Sequence, residues 1–149
     1  MKSFTFRLET LLRLRSSARD RALADYASSI KKRELAERMV LESETYLSKL
    51  NDDLSAKTRV SFLGTDLVAF QEEIQRAKET KDQRCKEVAR LSSLESSRRA
   101  VYLRKESEYK SLERFKERKA SEHLSREIQK EEREQENVIA ARYVYDRVN

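Results

Sequence analysis

The sequence has 149 residues, 83 of them Ala, Glu, Lys, Leu or Arg, with one Gly and no Pro. Charged residues reach 40% and hydrophobic ones 38%, whereas a compact domain carries about 25% charge, so a globular core is excluded in favour of long helices. Sheet folds would lack the Gly and Pro their turns require, and 6 Tyr, 5 Phe and many Leu at helical spacing are more apolar anchors than a disordered chain carries.

The net charge of +6 is unevenly placed. Lys2, Arg7, Arg13, Arg15 and Arg19 against Glu9 make residues 1–19 basic, residues 98–149 hold 14 basic and 11 acidic side chains, and the middle is near neutral. The first fifteen residues are Arg-rich and amphipathic, as a transit peptide is; Glu9 and direct continuation into a helix argue against cleavage. A first helix is expected over about 4–55. Steps of seven from Leu12 give Arg19, Tyr26, Arg33, Val40, Leu47 and Leu54, and a companion row runs Leu8, Arg15, Ala22, Ser29, Ala36, Ser43, Leu50. This is a diluted heptad seam, with Leu11, Leu23, Ile30, Met39 and Leu41 widening it.

The pattern lapses over 55–66, where the only glycine stands. A turn is expected at about 56–66, with Gly64 at positive φ and Thr65 as N-cap of the next helix. The second helix is expected over about 67–146, with rows Leu67, Ile74, Lys81, Val88, Glu95, Tyr102, Tyr109 and Phe70, Ala77, Arg84, Leu91, Arg98, Lys105, Leu112. Leu94, Val101 and Phe115 suggest a drift of the stripe near Glu95, as a stutter produces. Beyond Phe115 the chain is nearly all charge to Asn137, after which Val138, Ile139, Tyr143, Tyr145 and Val148 return apolar side chains. The expected fold is all-α, a single antiparallel two-helix coiled-coil hairpin over 1–149 with a C-terminal overhang.

The chemistry of an enzyme is missing: there is no Gly-rich phosphate loop, no His pair and no nucleophile beside a base. No cofactor or metal site is expected. Cys85 reads as a half-buried helix residue and His123, between Glu122 and Arg126, as a solvated side chain. Acidic residues interrupt nearly every basic cluster, unlike the unbroken basic stripe of a nucleic-acid binder; a basic coiled coil that binds nucleic acid or another surface is the alternative reading. No apolar run is long enough to span a membrane. The function left to such a chain is to bind, brace or transmit. Apolar residues exceed what one seam absorbs at Phe4 to Leu14 and around the turn, at Val60, Phe62, Leu63, Val68 and Phe70, and such patches mark self-packing or partner docking.

Three stretches carry a resemblance: Phe4-Thr-Phe6-Arg-Leu8-Glu-Thr-Leu11-Leu12-Arg-Leu14-Arg15, then Phe70-Gln-Glu-Glu-Ile74-Gln-Arg-Ala77, and the charged run from Glu117 to Asn137 followed by Ala140-Ala-Arg142-Tyr143. Together with the length and the position of the turn, they resemble FliJ, the small coiled-coil family of the flagellar type III export apparatus. Asn137-Val-Ile departs from the family's usual Lys-x-x-Asp-Glu closing run. The resemblance implies a non-enzymatic stalk and adaptor, cytoplasmic and peripheral at the inner membrane through its partners. Those partners would be the export ATPase ring, the cytoplasmic domain of the export gate and the export chaperones it escorts, with no nucleic acid. It implies that the two chain ends pair and enter the ring, with Phe4, Leu8, Leu11, Leu12, Arg13, Arg15, Arg142 and Tyr143 as ring contacts. The gate contacts implied by family matching are Val40, Ser43, Leu47, Phe70, Ile74 and Ala77, where Ser43 and Leu47 replace residues that are often aromatic.

Overall fold

A computed structural model describes residues 2–60 and 64–148. It is an all-α hairpin of two long helices packed against each other: α1 spans Glu9–Thr58 (50 residues) and α2 spans Gly64–Val148 (85 residues). The described residues divide into two compact units, one within Met1–Asp20 and Arg104–Asn149 and one within Arg21–Leu103.

Within the second unit the helices run antiparallel. Going up α1, Tyr26 stacks on Tyr102 with ring centroids 6.2 Å apart, Arg33 pairs with Glu95, Ser43 meets Arg84 and Tyr46 meets Glu73. Small residues recur every seven positions at Ala22, Ser29, Ala36 and Ser43, and all four are buried. Their lack of bulk admits larger side chains from α2, and Arg84 uses that room: its Nη1 donates to the Met39 carbonyl at 2.9 Å and to Ser43 Oγ at 2.6 Å. Ser29 satisfies its own hydroxyl by donating to the Tyr26 carbonyl at 2.6 Å. Ile74, Ala77 and Leu91 supply the buried apolar side of α2.

Within the first unit the same antiparallel sense holds. Arg15 donates to the Glu108 carbonyl at 3.0 Å, the Arg19 guanidinium lies 4.2 Å from the centre of the Tyr109 ring, and Lys116 donates to Glu9 at 2.8 Å. Phe6, Leu12 and Leu112 form the buried cluster, with Phe4, Leu8, Tyr109 and Phe115 packed against it.

Both rows of seven on α1 are buried or half-buried at every position, and on α2 Arg98 alone of its two rows is exposed. The flanking Leu11, Leu23, Met39 and Leu41 stay exposed, so the seam is narrower than the apolar content implies. Near Glu95 the stripe broadens: Glu95, Tyr102 and Tyr109 remain half-buried, and Leu94, Val101 and Phe115 are half-buried beside them. Glu95 holds its seam place because Arg33 faces it and also pairs with Glu37 at 2.9 Å. Hydrogen bonds from Arg33 to Glu95 first, and then to Glu37, raise the guanidinium pKa.

The helix boundaries differ from the expected ones. Helix α1 begins at Glu9, not near residue 4, because residues 2–6 lie non-helical against α2. The helix opens with Glu9 N donating to the Phe6 carbonyl at 3.2 Å and Leu12 N to the Leu8 carbonyl at 2.9 Å. It ends at Thr58 with Lys57 in its last turn, a favourable place for a cation at the negative end of the helix dipole. Helix α2 already includes Gly64, whose φ is not positive, and Thr65 stands second in the helix, not at its N-cap. The anticipated apolar gathering at the turn includes Phe62 and Leu63, which lie outside the described residues; Val60 and Val68 are exposed.

A Cβ built on Gly64 meets nothing within 4 Å. Gly64→Ala is therefore expected to stabilise the protein by about 0.4–1 kcal/mol, through a less flexible unfolded chain and better helix propensity. Chemical denaturation would show it as a higher midpoint at unchanged slope; a lower midpoint would mean that the connection needs glycine.

Candidate interaction surfaces

The N-terminal segment alternates strictly: Phe4 half-buried, Thr5 exposed, Phe6 buried, Arg7 exposed, Leu8 half-buried. A period of two belongs to an extended chain that lays every second side chain on one surface. Phe6 packs on Phe115 at 6.1 Å between centroids, and Phe4 sits 6.4 Å from Phe6 and 5.7 Å from the His123 ring. His123 Nε2 lies 2.9 Å from the Lys2 carbonyl oxygen. His123 is thus the anchor of a strap, not the solvated side chain its charged neighbours suggest. Lys116 Nζ and Lys119 Nζ approach the Phe6 and Phe115 ring centres at 5.9 and 5.4 Å. An open groove of about 520 Å³ between strap and helix has an apolar floor of Phe4, Phe6 and Phe115 with Arg7, Lys119 and Arg126 at its rim.

The expected ring contacts fall into three places. Phe4, Leu8 and Leu12 join the cluster that closes this end, and Leu12 is buried in it. Leu11 and Arg13 face outward, while Arg15 is half-buried and bonded to α2. Arg142 and Tyr143 stand nineteen or more residues beyond His123 on the exposed tail of α2, which at 1.5 Å per residue is roughly 28 Å or more along the helix axis. Among the described residues, the N-terminal strap and the tail around Arg142 and Tyr143 are therefore not paired with each other. The strap meets α2 at Phe115–His123, and residues 128–148 are exposed throughout.

The expected gate contacts divide by burial. Ser43, Ile74 and Ala77 are buried in the seam because they occupy its inward positions, so they do not form surface as the helices stand. Val40, Leu47 and Phe70 are half-buried. Lys57 Nζ lies 4.8 Å from the Phe70 ring centre. Val40 also lines a shallow apolar groove of about 350 Å³ with Leu41, Val88, Glu37 and Cys85; Cys85 is exposed, not half-buried.

Tyr46, which the heptad rows pass over, joins a polar group of Glu73 and Arg76 at the surface of this unit. Its hydroxyl donates to Glu73 Oε1 at 2.7 Å, and Arg76 donates to Glu73 Oε2 from Nη2 at 2.7 Å and Nε at 3.1 Å. The Tyr46 hydrogen bond first, then Arg76, hold the Glu73 carboxyl below its ordinary range, and the bond to Glu73 pushes the Tyr46 phenol up.

Among the described residues no helix is long and apolar enough to cross a membrane, and none of their acidic, His or Cys side chains cluster as metal ligands.

Two outcomes follow. Phe6→Ala is expected to free the strap while leaving the helices: helicity falls little, but exchange of the Leu12 amide, bonded to Leu8 O at the strap's edge, accelerates. Unchanged exchange would show that Phe6 does not hold the strap. For the tyrosine group, a carboxyl depressed by folding contributes stability above the ordinary carboxylate range and loses it as pH falls through its folded pKa. The raised phenol contributes below the ordinary tyrosine range and loses it as pH rises through its own folded pKa. Glu73→Gln should remove the acid-side contribution and bring the Tyr46 titration, followed by NMR of the labelled ring, back toward its ordinary value; an unmoved titration would refute the coupling.

The family profile described as Flagellar FliJ protein matches residues 4–143. Comparison with curated proteins and with solved structures finds no match. The profile spans the strap, α1 and α2 through most of the exposed tail, so the chain belongs to the FliJ family of flagellar export proteins.

Proposed function

We propose that the protein is a non-enzymatic stalk and adaptor of the flagellar export apparatus, docking on the export ATPase ring at one end and on the export gate at the other. The observation that carries this reading is the tail of α2, residues 128–148, which is exposed throughout and offers Val138, Ile139 and Tyr143 to a partner. A helix of mixed charge without a packing face in its own fold gains little stability from side-chain pairs at about 0.2–0.5 kcal/mol each, so a surrounding partner is its natural support. Arg142 and Tyr143 would contact the ring there. The strap and the outward Leu11 and Arg13 would form a second contact, with Phe4, Leu8, Leu12 and Arg15 holding that end together.

At the gate end, Val40, Leu47 and Phe70 are the reachable members of the family-matched set, and Leu41 extends them across the groove. Ser43, Ile74 and Ala77 act beneath them by keeping the helices in register. Export chaperones are further partners in this reading, which puts the protein in the cytoplasm beside the membrane-borne apparatus. Charge supports protein partners over nucleic acid, because basic side chains along the helices are engaged by acidic neighbours, as in Arg90 with Glu87 and Lys119 with Glu122.

Phosphate release by the export ATPase is the test. The full chain should stimulate it; removal of residues 128–149 should abolish stimulation, and removal of residues 1–14 should reduce it. Arg13→Glu, at an exposed site, should cost no more than about 1 kcal/mol if the contact is solvated. Full stimulation by both truncated forms would refute the end-on reading. For the gate, Phe70→Ala is expected to weaken binding by about 2 kcal/mol; a fall in thermal stability with unchanged gate affinity would assign Phe70 to the fold alone.

A further inference from the structure

The row of α2 that packs on α1 does not remain apolar into the tail. Steps of seven from Leu112 give Lys119, Arg126, Arg133, Ala140 and Arg147. Another face takes over, with alternating steps of four and three: Leu124, Ile128, Glu131, Gln135, Val138, Arg142, Tyr145. That is the spacing of a two-helix seam. Its members are exposed, with Ile128 at 43%, Val138 at 52% and Tyr145 at 70%, and Glu131, Gln135 and Val138 line one shallow groove.

The face is complementary to itself in one arrangement. In an antiparallel pair, setting Ile128 against Tyr145 of a second copy also sets Glu131 against Arg142 and Gln135 against Val138, and the two-fold axis repeats every pair. In a parallel pair Glu131 would face Glu131 and Arg142 would face Arg142, like charges within the seam. Within one copy Glu131 and Arg142 are eleven residues apart, roughly 16 Å along the helix, so they do not satisfy each other. We propose that residues 124–148 of two copies pair antiparallel in this register and make the protein a reversible dimer. A seam this short lies at the small end of specific interfaces, so the dimer forms with concentration. This pairing covers the surface that the proposed ring contact uses, and the two states would exclude each other.

Sedimentation of the full chain from micromolar to millimolar concentration, with no ATPase present, tests the pairing independently of the ring. A monomer–dimer equilibrium is expected. Glu131→Arg and Arg142→Glu should each raise the dissociation constant by roughly tenfold or more, since each places like charges together twice. The double variant Glu131→Arg/Arg142→Glu should return it to within about threefold of the original, as coupled sites do. All three changes lie on exposed helix, and unchanged far-ultraviolet circular dichroism will establish that each variant is folded. A monomer at every concentration would overturn the proposal. A dimer indifferent to both single reversals, or one that the double variant does not restore, would overturn the register.

Discussion

The structure depends on the narrowness of a two-helix seam. One neighbouring helix covers only a stripe of the other, and no large side chain among the described residues is buried completely. Even Leu12, Ile74 and Leu112 keep 6–8% of their surface. Under that constraint an inward position need not be apolar. An arginine can lay its methylene stem in the seam and carry its charge to the edge, where Arg33 finds Glu95 and Arg84 finds the Met39 carbonyl and Ser43. The same residues inside a globular core would demand full compensation for lost hydration.

This mixture divides the labour between apolar and polar groups. Burial of Phe6, Leu12 and Leu112 in one unit, and of Ile74, Ala77 and Leu91 in the other, supplies the non-directional attraction. Hydrogen bonds from arginine to a particular carbonyl or carboxylate are directional and lose their partner when the helices slip by a turn. Solvated ion pairs add little net stability, about 0–1 kcal/mol each, so their contribution here is to register. The alternation of Ala22, Ser29, Ala36 and Ser43 serves the same end, since a small residue every second turn leaves a notch that only the intended side chain fills.

The helices and their seam were legible in the sequence because the sevenfold rows are a direct image of helix packing, and the rows marked inward positions even where Arg or Ser stood in them. The strap is harder to see, although its signal is present: Phe4-Thr5-Phe6-Arg7-Leu8 alternates with period two, and the crowding of leucines just after it hides that change of period. His123 is masked for a related reason, since its sequence neighbours are charged while its spatial neighbours are Phe4 and the Lys2 carbonyl. Gly64 reads as a turn residue on composition, yet it is the first residue of α2. The family-matched gate positions mixed surface with seam because a single sequence does not separate a residue that touches a partner from one that holds its neighbour in place.

The tail of α2 shows where the seam's logic ends. Had the tail been built to prolong the pairing with α1, the Leu112 row would stay apolar; instead it becomes Arg133, Ala140 and Arg147. Val138 and Tyr145 are displaced from Ala140 by minus two and plus five residues, which at about 100° per residue puts both about 140–160° around the helix. The apolar face therefore changes sides near the point where the N-terminal strap reaches His123. A helix that shifts its apolar face where its first partner stops is patterned for a second partner, approaching from another direction. The exposed valines and tyrosines of the tail are on this argument a surface specified by the sequence, open to the partner proposed above.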